Sequence, residues 1–124
     1  MGATMGVLAL TACGPRTVSD TTSNELLDFV TEKHNLLAQL QKMNRAAAKT
    51  IGDHQHAHLS ILSKYCELPS TTPETISTDP NASLSALVKD ALRIADSTRN
   101  DELRRILYLM SASDSVHIEL LRSQ

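Results

Sequence analysis

The chain has 124 residues, with 12 Lys and Arg against 14 Asp and Glu, and a formal net charge of −2. That length suits one domain, and the lack of a basic excess argues against a dedicated nucleic-acid binder. Aromatic residues make up 2% of the chain, which argues against base-stacking surfaces and an aromatic-rich β-sandwich. The 41% of hydrophobic residues is adequate for a small helical core.

The N-terminal stretch, residues 1–12, is almost entirely small or apolar and leads into Leu10-Thr11-Ala12-Cys13. It is too short to span a bilayer, which needs about 20 apolar residues, but its length suits the core of a secretory signal. The last four residues resemble a bacterial lipobox. The resemblance implies that residues 1–12 are a signal peptide and that Cys13 is the lipidation site. The alternative is an apolar arm packed on the domain, with a buried cysteine.

Lipidation would determine both the location and the cysteine chemistry of the chain. Acyl chains of the palmitate type on Cys13 would anchor the protein to the extracytoplasmic face of the cell membrane, since two acyl chains give stable anchoring. Cys66 would then be alone, because the chain has two cysteines, and no intramolecular disulfide is expected. We expect Cys66 to be a small buried residue rather than a reactive thiol.

The first predicted helix follows a Thr- and Ser-rich tether over residues 13–23. Thr22-Ser23-Asn24-Glu25 has the form of a capping box, and apolar residues then recur at helical spacing. The pattern predicts a helix from about 24 to 43.

A second helix is predicted from 46 to about 67, after a weak turn signal at Asn44-Arg45. Gly52 lies within it and weakens it by about 1 kcal/mol relative to Ala. The alternative is one long helix over 24–67, which would be unusual in a small domain.

Two further helices follow a Pro- and Ser/Thr-rich linker at 68–79. Asp79-Pro80 is a strong helix start, and Asn100 can cap a fourth helix that runs to about 121, with acidic residues in its first turn. Each helix is amphipathic, so the sequence predicts an all-α four-helix bundle over 24–124. Short connections make each pair an antiparallel hairpin, while the 68–79 linker is either a local loop or a crossover along the bundle.

Five polar residues fall on the inward faces of three predicted helices by a helical wheel: His34, His54, His58, Asp114 and His117. Burying such groups without partners costs several kcal/mol, so they must pair, meet water or bind a metal. Imidazole and carboxylate ligands suit Zn, Fe or Mn. The alternative is that they make ordinary core hydrogen bonds, with Asp114 and His117 as a simple buried pair.

Two segments resemble the ferritin-like domains of actinobacterial lipoproteins. Leu103–Leu121, with its apolar stripe, small residues, acidic residue and His, looks like their last helix. Asp53-His54-Gln55-His56-Ala57-His58-Leu59 is similar to their His-rich second helix. The wider ferritin-like family binds two metals through Glu residues and Glu-x-x-His motifs.

The match to that ligand set is incomplete. Asp114-Ser115-Val116-His117 has Asp in place of Glu, Asp53 and His56 have the spacing but point outward, and so does Glu32. The third helix offers no inward carboxylate.

The sequence leaves three functions open, the third of them a helical signalling or adaptor module. The first is a membrane-anchored envelope lipoprotein with a ferritin-like helical domain and a non-catalytic binding or structural role toward an unidentified protein partner. The second is a metal-binding or di-metal oxidase- or ferroxidase-like protein that uses the inward His and Asp residues.

Overall fold

Four α-helices make up the domain in the computed structural model, which describes residues 20–66 and 79–123, with side chains from Asn24 onward. The helices are α1 (Asp20–Gln41), α2 (Ala46–Leu62), α3 (Pro80–Ser97) and α4 (Asp101–Arg122). The all-α four-helix bundle is confirmed. The proposed signal peptide, Cys13 and most of the 68–79 linker lie outside the described residues.

The start of α1 differs from the prediction. The helix begins at Asp20, so the predicted capping box at 22–25 lies within the helix, and the last four residues of the predicted tether are helical. Local capping signals are weak beside tertiary packing. Leu26 and Phe29, about two turns into the helix, are both fully buried and hold this end of α1 on the bundle.

The end of α2 also differs, because the helix stops at Leu62 rather than near 67. The chain then turns, with the backbone N–H groups of Tyr65 and Cys66 both donating to the Leu62 carbonyl. This turn buries the Tyr65 ring and lets its hydroxyl donate to Glu102 at the start of α4.

The predicted starts of α3 and α4 are confirmed. The Asp79 side chain accepts a hydrogen bond from the Asn81 N–H, with Pro80 at the first helical position. Asn100 accepts from the Leu103 N–H. These side chains satisfy N–H groups that have no partner inside the helix.

Contacts between α1 and α3 show that these helices run antiparallel. At one end Glu25 pairs with Arg93 at 2.6 Å, and at the other end Gln39 accepts from Ser83 at 3.4 Å. The short connection at 42–45 makes α1 and α2 antiparallel as well. Helices α2 and α3 therefore point the same way, and they occupy opposite corners of the bundle.

This arrangement decides between the two alternatives for the connection between α2 and α3. Cys66 and Asp79 lie at opposite ends of the bundle, so the helices follow the topology with one crossover rather than a local loop. The 18 residues of α3 measure about 27 Å. An extended chain of 12 residues reaches about 40 Å, which is sufficient to join the two ends.

The core consists of apolar side chains from all four helices. Fully buried members include Phe29, Leu36, Leu40, Ile51, Leu62, Leu84, Leu87, Ile94, Leu103 and Leu107. Within residues 20–66 and 79–123, none of the helices combines the length and the apolar character needed to cross a bilayer.

Candidate functional site

A set of buried polar side chains lies between α1, α2 and α4, and we call it the polar cluster. Its members are Lys33, Gln55, His58, Asp114 and His117. All five are buried, and Lys33 and Gln55 are completely inaccessible to solvent. A charged side chain at such a position must be paired to avoid a large loss of hydration energy.

Lys33 is the centre of the cluster. Its ammonium group donates to Gln55 Oε1 at 2.7 Å and to Asp114 Oδ2 at 2.8 Å, and it lies 2.9 Å from His58 Nδ1. An ammonium has three donors and no acceptor, so His58 Nδ1 must accept. The proton of the neutral His58 ring is therefore on Nε2. The ammonium also lies 5.2 Å from the centre of the Phe29 ring, a cation–π distance.

Asp114 links this centre to a chain of imidazoles that ends at the surface. Its second oxygen, Oδ1, accepts from Gln55 Nε2 at 2.7 Å and from His117 Nδ1 at 2.9 Å. His117 Nε2 then lies 2.8 Å from Nδ1 of His54, an exposed residue.

The charges of the cluster follow from these contacts. Burial by itself raises the pKa of Asp114, but the hydrogen bond from His117 and the charge and hydrogen bond of Lys33 outweigh it and hold the pKa below its usual range. Burial lowers the pKa of Lys33, and Asp114 opposes that shift. Burial, helped by the Lys33 charge, lowers the pKa of His58 to about 3, so this ring is neutral at pH 7.

Three of the five predicted site residues come together as expected. His58, Asp114 and His117 are buried and share the polar cluster. His54 is exposed, and only its Nδ1 atom reaches the cluster, at its outer rim.

The inward placement of His34 was wrong. This half-buried side chain lines a groove between α1 and α2 together with His56, and its Nδ1 atom finds no partner among the described residues. The neighbouring Lys33 points into the bundle instead. One residue of an α-helix turns by about 100°, so His34 is rotated toward the groove.

Sequence reasoning missed Lys33 and Gln55. A signal existed, because Lys33 interrupts the apolar stripe of α1 at helical spacing, between Val30 and Leu37. A lysine inside such a stripe needs a buried anion. The expected ligand set contained only His and acidic residues, because these suit a metal ion, and it therefore omitted the cation that pairs with Asp114.

The cluster fits the expected metal centre poorly. Across residues 20–66 and 79–123, no three or more His, Cys, Asp or Glu side chains are placed to hold one metal ion. The ammonium of Lys33 lies where a cation would neutralise Asp114. His54 Nδ1 and His117 Nε2 are 2.8 Å apart, whereas two nitrogens on a tetrahedral Zn are roughly 3.3 Å apart.

The remaining helix and the predicted acidic residues do not complete a ligand set. The buried residues of α3 are all apolar, as the sequence indicated. Glu32, Asp53 and His56 are exposed, which confirms their outward placement. Thus the described residues do not fit the ligand set of Glu residues and Glu-x-x-His motifs that defines a di-metal bundle.

Cys66 also departs from expectation. The side chain is buried, at 2% exposure, but it is disulfide-bonded rather than a free thiol. The other cysteine of the chain, Cys13, lies outside the described residues.

Comparisons of the chain with protein-family models, with curated proteins and with solved structures found no match.

Proposed function

We propose that this protein is an envelope lipoprotein whose helical bundle has a non-catalytic binding or structural role. The observation that supports a non-catalytic role is the closed polar cluster. Lys33 uses its three donors on Gln55, His58 and Asp114, and both charged groups are inaccessible to substrate. A catalytic centre needs groups that a substrate can reach.

The proposed anchor is lipid on Cys13 after removal of residues 1–12. The support for it is the lipobox-like Leu10-Thr11-Ala12-Cys13. Such an anchor would hold the protein on the outer face of the membrane, and the proposed role there is toward an unidentified protein partner. The kinship with ferritin-like lipoproteins belongs to the same proposal. Its support is the single crossover between α2 and α3, a connectivity that ferritin-like bundles use.

The disulfide state of Cys66 tests the proposed lipid anchor. A Cys13 sulfur that carries a diacylglyceryl thioether cannot also form a disulfide, and Cys13 and Cys66 are the only cysteines of the chain. In a lipidated protein Cys66 therefore cannot be bonded to Cys13, so the disulfide bond of Cys66 counts against the proposed anchor.

Intact mass spectrometry of protein extracted from membranes without reductant separates these states. The proposal predicts a chain that starts at Cys13 and carries acyl groups, and a Cys13→Ala variant that is neither cleaved nor acylated. A full-length chain with an intramolecular Cys13–Cys66 disulfide would refute the anchor.

Metal analysis tests the proposed non-catalytic role of the bundle against the alternative that the protein binds metal. Purified protein is expected to carry far less than one equivalent of Zn, Fe or Mn, and added metal should leave its melting temperature unchanged. One equivalent of metal that disappears in a His54→Ala/His117→Ala variant would favour the metal-binding function instead.

A further inference from the structure

The outward face of α4 carries a line of exposed residues, apolar at its centre and charged at both ends, that no other helix among the described residues covers. We call it the outer stripe, and its members are Arg105, Leu109, Ala112, Val116 and Glu119, all exposed. Leu109 and Val116 are 63% and 64% exposed, more than any other large hydrophobic side chain in the described residues. Isolated exposed hydrophobic residues are ordinary, but these two side chains also lie on one line of the helix.

The spacing of the outer stripe is that of a helix-pairing seam. Its members follow one another at intervals of four, three, four and three residues, as the core positions of a coiled coil do. The opposite face of α4 already packs on the bundle through Leu103, Leu107, Met110 and Leu121. Helix α4 therefore packs one apolar face against the bundle and exposes further apolar side chains on the opposite face.

The positions of the charged residues in the outer stripe indicate which molecule could pack on it. Arg105 and Glu119 lie seven residues on either side of Ala112, which places them about 10 Å from it along the axis. A two-fold axis at Ala112 would bring a second α4 into antiparallel contact. Arg105 of each chain would then lie opposite Glu119 of the other, and Leu109 near Val116.

The geometry points to a second copy of this chain, docked through antiparallel α4 helices. A two-fold contact requires a patch that is complementary to itself, and here opposite charges are equidistant from a small residue. Ala112 at the centre allows the helix axes to approach to about 8 Å, the short end of helix packing distances. A parallel pair would bring Arg105 against Arg105 and Glu119 against Glu119, so the charges favour the antiparallel orientation. This inference does not depend on the proposed anchor or role.

Analytical ultracentrifugation of the full chain, with reductant present so that no intermolecular disulfide adds to the mass, tests the inference. The 13.5 kDa chain is expected to sediment as a dimer, at twice that mass. Leu109→Glu/Val116→Glu should raise the dissociation constant by more than about tenfold, because it buries four carboxylates per dimer. Ile61→Glu on α2 replaces another exposed hydrophobic side chain, 43% exposed, and should leave the dimer intact.

Charge reversal supplies the test of orientation. Arg105→Glu and Glu119→Arg should each weaken the dimer several-fold, and the combined variant Arg105→Glu/Glu119→Arg should restore it. Circular dichroism at 222 nm checks that every variant is folded. Arg105 also lies near Glu102, and Glu119 accepts from Arg122 at 3.4 Å on the same helix. The restoration, rather than either single effect, is therefore the decisive result.

Three results would overturn the inference. The first is a wild-type chain that stays monomeric at 100 µM, as expected if residues 1–12 or a membrane surface covered the stripe. The second is an equal loss of the dimer in Ile61→Glu. The third is a combined charge reversal as weak as the single ones.

Discussion

Replacing Lys33 with Met tests whether the polar cluster is held by a buried ion pair. The change keeps the length of the side chain but removes the ammonium 2.8 Å from Asp114, where the two side chains are 0% and 1% exposed. At that distance, and with an effective dielectric constant of 20, the lost attraction is about 6 kcal/mol. The variant no longer pays the cost of removing the Lys33 charge from water, and this gain offsets part of the lost attraction. We therefore expect the free energy of unfolding to fall by about 3–5 kcal/mol.

The double-mutant cycle with Asp114→Asn isolates the charge pairing from the other hydrogen bonds. Asn at 114 keeps an oxygen that can accept from Gln55 and His117, which both donate to Oδ1. The double variant Lys33→Met/Asp114→Asn should therefore be more stable than Lys33→Met alone, because it leaves no unpaired buried charge. It also remains measurable if Lys33→Met fails to fold.

Urea unfolding followed by circular dichroism at 222 nm is the suitable assay, since the chain contains no Trp. The matched control is Lys64→Met, which removes an exposed lysine 3.5 Å from Glu102 and should cost less than about 1 kcal/mol. The reasoning is refuted if Lys33→Met costs no more than this control. It is equally refuted if the double variant loses the sum of the two single losses.

Three other predictions follow from single groups. The unfolded chain protonates His58 near pH 6.5, but the folded pKa is about 3, so stability should fall by up to about 1.4 kcal/mol per pH unit below 6.5. Urea unfolding at pH 7.5 and 5 should show a smaller fall in His58→Gln, and an equal fall would contradict a buried neutral ring. Gly52→Ala should stabilise α2 by about 1 kcal/mol, because the added Cβ would meet only Leu37 Cδ1, at 3.6 Å; a lower melting temperature would show that the site has no such room. The Glu32 side chain is exposed overall, but partial desolvation of its carboxyl, with the hydrogen bond and charge of Asp90, raises its pKa to about 7. Stability from this group therefore falls as pH rises from 4.5 through 7, and Glu32→Gln should raise the melting temperature at pH 8 but not at pH 4.5.

The helices were predictable because their signals are local. Apolar spacing marked all four, and the side chains of Asp79 and Asn100 fixed the starts of α3 and α4. The ends that depend on tertiary packing were missed. Helix α1 begins earlier than its capping signals, and α2 ends where Tyr65 turns toward Glu102.

The polar cluster was only partly predictable, because its partners are far apart in sequence. A helical wheel shows that Asp114 and His117 point inward, since it needs only the positions within one helix. It cannot show that Lys33, 81 residues away, faces Asp114. That pairing depends on the rotation of α1 about its axis, and the same rotation moves His34 out of the cluster.

Inside the bundle an ammonium, rather than a metal ion, pairs with Asp114. A crystal structure of the full chain grown with excess Mn or Zn, with anomalous diffraction data, tests it most directly. We predict Lys33 Nζ within hydrogen-bond distance of Asp114 Oδ2 and no anomalous peak beside His54, Asp114 or His117. An anomalous peak bound by those side chains, with the Lys33 ammonium displaced from Asp114, would contradict the claim.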